Sequence, residues 1–305
     1  MEGTPLKTAF DPGAVLANRY EIITTLGRGG MGEVFLAKDL QTDQQVALKT
    51  LHAKYSSSRH AIARFTREVK LARQLNHPCI VKILDAQKWQ DTLFYTMEYI
   101  DGKSLRKWLR QRGKLDFGST VRVLCLVADA LEHAHQFTIH RDLSPENIMV
   151  TREGAVRLLD FGLAKIDDQF KGLTVVGANL GKLRYMAPEQ ELNAAQVDHR
   201  ADIYPLGIMF FEFMTGKTPI PGQKIIDSCP ELPRETDAFL ARAMARDPND
   251  RFGTVREFRE GLLALYKQSQ AQQEKAAALA GASRITRWID AIKTRLAGLF
   301  KRKKS

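Results

Sequence analysis

Residues 140–147 read His-Arg-Asp-Leu-Ser-Pro-Glu-Asn, and Asp160-Phe161-Gly162 begins thirteen residues after Asn147. This spacing sets three polar groups, Asp142, Asn147 and Asp160, on two loops. Between the loops lie two short apolar runs, 148–150 and 156–159, and a turn at Glu153-Gly154. Two strands joined by that turn would bring the loops side by side. An Asn and an Asp held together there supply oxygens suited to Mg²⁺, a hard cation commonly bound along with substrate phosphates. Asp142 is left to accept a proton.

Two further patterns bear on phosphate chemistry. Gly27-Arg28-Gly29-Gly30-Met31-Gly32 lies between two predicted strands. No helix follows it, which argues against a dinucleotide fold. Its glycines would let backbone N–H groups approach phosphate oxygens, although an ordinary glycine-rich hairpin explains the pattern equally well. Val46-Ala47-Leu48-Lys49 is an apolar strand carrying one Lys, on the same face as Ala47 and Leu51. Taken alone, Lys49 reads as a snorkelling surface residue. Glu68 changes that reading. It falls on the apolar stripe of a predicted helix with Phe65, Ala72 and Leu75, where an ionised carboxylate needs a partner. Lys49 is the natural candidate.

The elements that must position these groups follow from periodicity. Strands are predicted at 20–26, 33–38, 45–51, 80–86 and 92–97, with a helix over 58–75 ended by Asn76-His77-Pro78. From 104 to 266 helices dominate, apart from the loops around Asp142 and Asp160. A β-rich first part and a helical second part predict an α+β fold of two lobes with a cleft between them. Residues 1–19 read as a loose leader, the N-lobe as about 20–97, the C-lobe as about 101–266, and 267–283 as an Ala/Gln-rich spacer.

Composition limits the alternatives. The chain has 305 residues, is 44% hydrophobic and carries a net charge of +11. The charge is concentrated at one end: residues 267–305 hold ten Lys or Arg against two acidic residues. The basic character belongs to the tail, so nucleic-acid binding by the main domain is not expected. Cys79, Cys125 and Cys229 are scattered without metal-ligand spacing and read as reduced packing residues. No run of 18 apolar residues appears, so no transmembrane helix is expected, and Met1–Asn18 lacks a signal-peptide pattern. A cytoplasmic location is expected. In the tail, Ile285, Trp288, Ile289, Ile292, Leu296, Leu299 and Phe300 form one apolar stripe flanked by Arg284, Arg287, Lys293 and Arg295. This is the pattern of a helix lying on an anionic membrane surface, here the inner face. A helix packed on the main domain or self-associating reads the same way, and nucleic-acid binding by the tail is a third option.

Ala187-Pro188-Glu189, Asp202 before an apolar helix, and Arg251 follow in order after Asp160. With them the chain resembles the eukaryotic-type (Hanks-type) protein kinase family, in its bacterial Ser/Thr branch, over roughly residues 20–266. The resemblance implies transfer of the γ-phosphoryl of ATP, with Mg²⁺ or Mn²⁺, to Ser/Thr hydroxyls of protein substrates. It assigns nucleotide contacts to Leu26, Gly27, Arg28, Gly29, Gly30, Met31, Gly32, Glu33, Val34, Ala47 and Lys49, with Met97 as gatekeeper and Glu98 to Ile100 as hinge. It makes Asp142 the proton acceptor and Asn147 and Asp160 the metal ligands. Lys49 would pair with Glu68, Glu189 with Arg251, and Asp202 would brace the catalytic loop. Arg141 would meet a phosphorylated residue, for which Thr174 is the one Ser or Thr between Phe161 and Pro188.

The pattern has departures. The family usually carries Lys where Ser144 stands and Thr where Lys182 stands. Lys182 is therefore expected to bring the missing positive charge from the opposite wall; the alternatives are a slow enzyme that has lost that charge, a Lys182 that merely faces solvent, or a nucleotide-binding pseudokinase scaffold. Pro205 must lie in the first turn of its helix. The stretch 217–232 is short, so a helix common there is expected to be abbreviated or missing.

Overall fold

The alternating pattern of residues 20–98 folds into one antiparallel sheet in the computed structural model, which describes residues 10–29, 32–51, 59–161, 180–192, 197–275 and 278. The six strands are β1 (Val15–Leu16), β2 (Tyr20–Gly29), β3 (Gly32–Asp39), β4 (Gln44–Thr50), β5 (Ile83–Trp89) and β6 (Thr92–Glu98), in the order β1-β2-β3-β4-β6-β5. Both faces are buried, and strand alternation sorts the residues between them. Ala47, Leu51, Tyr95 and Met97 pack with Phe65 and Val69 of helix α1 (Arg59–Ala72). Phe35, Ala37, Val46, Leu48 and Phe94 face the other way.

That second face corrects one expectation. Residues 10–19 are not a loose leader. Leu16 is fully buried, Phe10 and Ala14 pack on the same cluster, and β1 pairs with β2. Phe10 meets Phe35 and Trp89 edge-on or tilted, with ring centroids 6.1 and 6.2 Å apart. The apolar outer face of the sheet needs a cover, and this segment supplies it.

Beyond Glu98 the chain becomes helical. Helix α2 (Leu105–Arg112) starts on Ser104, whose hydroxyl accepts from the Lys107 amide, and α3 (Phe117–Ala134) starts on Asp116, which accepts from the Ser119 amide. Both are standard N-caps for orphan helix amides. Later come α4 (Leu180–Leu183), α5 (Pro188–Leu192), α6 (Ile203–Thr215), α7 (Glu235–Ala243) and α8 over residues 255–275. Pro205 sits in the first turn of α6, where its missing N–H breaks no bond. The core of this lobe includes Phe239, whose ring centroid lies 5.0 Å from those of both Phe252 and Phe258. The spacer expected from residue 267 continues α8 as far as 275, with Ser269 buried.

No helix forms between Thr215 and Glu235. That stretch leaves an open groove of about 970 Å³ between α5, α6 and α7, with Leu183, Met186, Leu192 and Ile220 among its lining. The two strands predicted around the Glu153-Gly154 turn are β8 (Ile148–Thr151) and β9 (Val156–Leu158), and β7 (Gly102–Ser104) adds to them in the order β7-β8-β9. This small sheet carries both chemical loops. Gly30, Met31, Thr174 and the tail 284–305 fall outside the described residues.

Candidate active site

Asp202 organises the first loop from below. It is fully buried, and its carboxylate accepts from the amides of His140 at 2.9 Å and Arg141 at 2.8 Å. His135 meets the same carboxylate at 2.9 Å. Burial pushes the Asp202 carboxyl up, but the bond and charge of His135 and the two amides prevail and hold it below the ordinary value. Arg141 is thereby kept in a left-handed backbone pose, φ 66°, which a non-glycine residue adopts only when its surroundings enforce it. His140 is buried, and burial lowers its pKa, so the neutral ring bonds the Leu159 carbonyl at 2.8 Å. Its Nδ1 accepts from the Asp142 amide at 3.3 Å, and Phe161 stacks edge-on against it with centroids 4.7 Å apart. The two loops are thus tied to each other and to α6.

The reacting end of the first loop is a cluster of three. Asn147 Nδ2 donates to the Asp142 carbonyl at 2.6 Å and to Asp142 Oδ2 at 2.9 Å. Lys182, on α4, donates to Asp142 Oδ2 at 2.6 Å and lies 3.4 Å from Asn147 Oδ1. Ser144 is buried, and its hydroxyl finds no hydrogen-bond partner among the described residues. Among the described residues the lysine enters the cluster and the serine does not.

Asp160 forms the other wall. It too has a left-handed backbone, φ 58°. Lys49 donates to Oδ2 at 2.6 Å and the Tyr95 hydroxyl donates to Oδ1 at 2.7 Å. Burial alone would raise the Asp160 carboxyl, but the Lys49 charge and hydrogen bond, helped by Tyr95, bring it down to about 2. Tyr95 itself is pushed well above the usual phenol value by burial and by the Asp160 charge, so its hydroxyl stays a donor.

This arrangement corrects the expected Lys49–Glu68 pair. Glu68 lies on the buried face of α1 as its stripe requires, 4% exposed, yet its Oε2 has no hydrogen-bond partner among the described residues. The backbone pose of Asp160 delivers its carboxylate to Lys49, and Tyr95 secures the remaining oxygen.

The glycine loop divides in two. Gly27 has open space where a Cβ would stand, and at Gly29 a Cβ would make ordinary contact with the Gly32 carbonyl oxygen at 4.0 Å. Gly32 is different: with φ 159°, an added Cβ would fall 1.7 Å from the Thr50 carbonyl oxygen of β4. Its glycine is demanded by sheet packing. Leu26 is exposed on β2, Arg28 and Glu33 pair across the hairpin at 3.4 Å, and Val34 and Ile100 border the Ala47–Met97 cluster. Glu98 ends β6, where the chain passes to the helical lobe.

The donor set fits a hard divalent cation. Asn147 is anchored through its Nδ2, so Oδ1, which also lies 3.4 Å from Lys182 Nζ, is its ligating end, and the Asp160 carboxylate supplies oxygens of the second loop. An all-oxygen set suits Mg²⁺ and, equally, Mn²⁺.

Residues 20–264 match the protein kinase domain family. The chain belongs to that family. Relatives include the serine/threonine-protein kinase pkn3 of Myxococcus xanthus, 36% identical over 84% of this chain and 51% of its own length. PrkC of Bacillus subtilis is 30% identical over 86% of this chain and 43% of its own, and PknB of Mycobacterium tuberculosis 34% identical over 85% and 45%. This chain spans about half the length of such relatives. The solved Mycobacterium tuberculosis PknI kinase domain superposes with a TM-score of 0.71 at 30% identity, covering 85% of this chain and all of that one.

In this kinase domain Glu189 and Arg251 form a bidentate pair with both bonds at 2.7 Å. The Arg251 side chain is completely buried. Two groups escaped the motif-based reading. Tyr95 could have been found by strand alternation, since it shares a face with Met97. Arg106 of α2 bonds Glu146 at 2.8 Å and Glu212 at 2.6 Å, and Tyr185 joins both Arg106 and Glu212. A Glu within the apolar run 203–214 was the available signal, because a buried carboxylate implies a cation nearby.

Proposed function

We propose that this chain is a Ser/Thr protein kinase that transfers the γ-phosphoryl group of Mg·ATP to hydroxyls of protein substrates. One observation carries the reading: Asp142, Asn147 and Lys182 converge in one hydrogen-bonded cluster, and Lys49 bonds Asp160 on the second loop. The substrate oxygen attacks the γ-phosphorus, its bond to the ADP oxygen breaks, and the proton passes to Asp142. Both Asn147 and Lys182 bond Oδ2, so Oδ1 is the oxygen assigned to the incoming hydroxyl. Lys182 places an ammonium where negative charge is transferred, the role that Ser144 cannot fill. Little covalent work falls to the protein; positioning and charge stabilisation lower the barrier. When bound with the nucleotide, Mg²⁺ held by Asn147 and Asp160 neutralises phosphate charge. Turnover of ATP on a generic protein substrate, wild type against Asp142→Asn, tests the reading; equal turnover would refute it.

The rival is a nucleotide-binding scaffold without transfer. It is favoured by Ser144 and by the pairing of Lys49 with Asp160 in place of Glu68. Binding of nucleotide with no phosphate transfer would establish it.

Two assignments rest on sequence alone. Thr174 is proposed as an autophosphorylation site facing Arg141, and absence of phosphate there in active protein would remove it. Residues 284–305 are proposed to bind anionic membrane surfaces. Equal flotation with phosphatidylserine vesicles, with and without these residues, would exclude that. Among the described residues no helix is long and apolar enough to cross a membrane.

A further inference from the structure

Tyr95 belongs to none of the motifs, yet it touches the centre of the site. It lies on β6 with its side chain on the α1 face, where its ring packs against Phe65 with centroids 6.3 Å apart. Lys49 Nζ lies 5.8 Å from the same ring centroid. The residue is 1% exposed, so its hydroxyl has no water to turn to, and it spends its proton on Asp160 Oδ1 at 2.7 Å. Asp160 in turn holds a left-handed backbone pose, φ 58°. Such a pose persists only where the surroundings over-determine it. On the side-chain end, the described partners that do so are Lys49 and Tyr95.

We propose that Tyr95 is a positioning residue for Asp160: its hydroxyl fixes one carboxylate oxygen and so presents the carboxylate, already oriented, to the divalent cation that accompanies the nucleotide. The inference rests on the assignment of Asn147 and Asp160 to that cation. The physical basis is general. A ligating carboxylate needs an outer hydrogen bond to fix its rotation, and loss of such a bond typically lowers metal affinity about 10- to 100-fold. A phenylalanine at position 95 would fill the same space and keep the Phe65 packing. It would leave Oδ1 without its donor and the carboxylate free to turn. Each carboxylate oxygen has more than one acceptor site, so the Tyr95 bond and a cation do not exclude one another.

The test uses the full chain and calorimetric binding of ADP, first in EDTA and then across a Mg²⁺ series. Tyr95→Phe is expected to bind ADP in EDTA as the wild type does, and to need roughly 10-fold or more additional Mg²⁺ for half-maximal tightening. A merely structural role would weaken both measurements together. An unchanged Mg²⁺ requirement overturns the proposal. A lowered requirement also overturns it, since Tyr95 would then be a catch that competes with the cation. Tyr95→Met, which fills the space flexibly and also lacks the donor, is expected to repeat the shift. Asp160→Asn separates the two levels of the argument. It should abolish the Mg²⁺ effect; if the effect persists there, the cation assignment fails and the Tyr95 proposal with it. If it vanishes there while Tyr95→Phe is unchanged, only the Tyr95 proposal fails.

Discussion

The Lys182 ammonium stands 2.6 Å from Oδ2 of Asp142, placing a positive charge directly beside the proposed proton acceptor. The lysine comes from α4, not from the loop that carries Ser144. Its position makes the charge balance of the site depend on one residue outside the 140–147 motif.

Lys182→Thr should therefore lower kcat by about 10²-fold, the usual cost of one preorganised donor, with nucleotide affinity nearly unchanged. Adding Ser144→Lys to that variant should recover most of the loss, because the ammonium then returns from the other wall. Steady-state phosphorylation of a generic protein substrate measures both. Full activity in Lys182→Thr alone would end the compensation argument.

Glu68→Gln should leave stability within about 1 kcal/mol of wild type, as for a substitution that breaks no ion pair. Glu68 is buried without a bond to Lys49, and Gln keeps its shape. Urea unfolding provides the check. A loss of about 3–5 kcal/mol would mean that Lys49 and Glu68 are paired in solution, since breaking a buried pair costs that much.

Glu189→Ala should be far more damaging. It strands Arg251, whose side chain is completely buried and whose two forked bonds to Glu189 are both 2.7 Å long. The expected loss is about 3–5 kcal/mol in urea unfolding. A double change of Glu189 and Arg251 to apolar residues should cost less than Glu189→Ala, because no buried charge is left alone.

The N-terminal cover makes stability depend on acid. Arg19 hydrogen-bonds Asp39 at 2.8 and 2.7 Å and brings its carboxyl down to about 2. A carboxyl lowered on folding stabilises above its unfolded pKa, and the contribution fades as pH falls through the folded value. Asp39→Asn should therefore be less stable than wild type by about 2 kcal/mol at neutral pH. The gap should close between about pH 4 and about pH 2. Urea midpoints across that range decide it; a gap independent of pH would show that the carboxylate charge is not its source.

Much of the site was legible because its residues are near neighbours in sequence. Asp142 and Asn147 share one loop, and the turn at Gly154, φ 82°, folds Asp160 back beside them. The alternation of β4 put Lys49 on the face of Ala47 and Leu51, but it took the buried stripe of α1 to argue that this face is the inner one. The partner of Lys49 was not legible. Helical periodicity says which face of α1 carries Glu68, but not how far α1 stands from β4. The choice between Glu68 and Asp160 depends on that distance. Tyr95 was hidden for a different reason: in a strand with both faces buried, a tyrosine looks like any other core aromatic until its hydroxyl needs a partner. Residues 10–19 misled through their Pro and Gly content, while Phe10, Ala14 and Leu16 carried the packing.

The central claim is phosphoryl transfer with Asp142 as proton acceptor. It is tested most directly by measuring, on the same preparations, Mg·ATP affinity and incorporation of labelled γ-phosphate into protein Ser/Thr, for wild type and Asp142→Asn. The account predicts similar nucleotide affinity in the two proteins, with transfer by the wild type and a loss of at least about 10²-fold in the variant. Tight nucleotide binding by both proteins with no transfer by the wild type would contradict it.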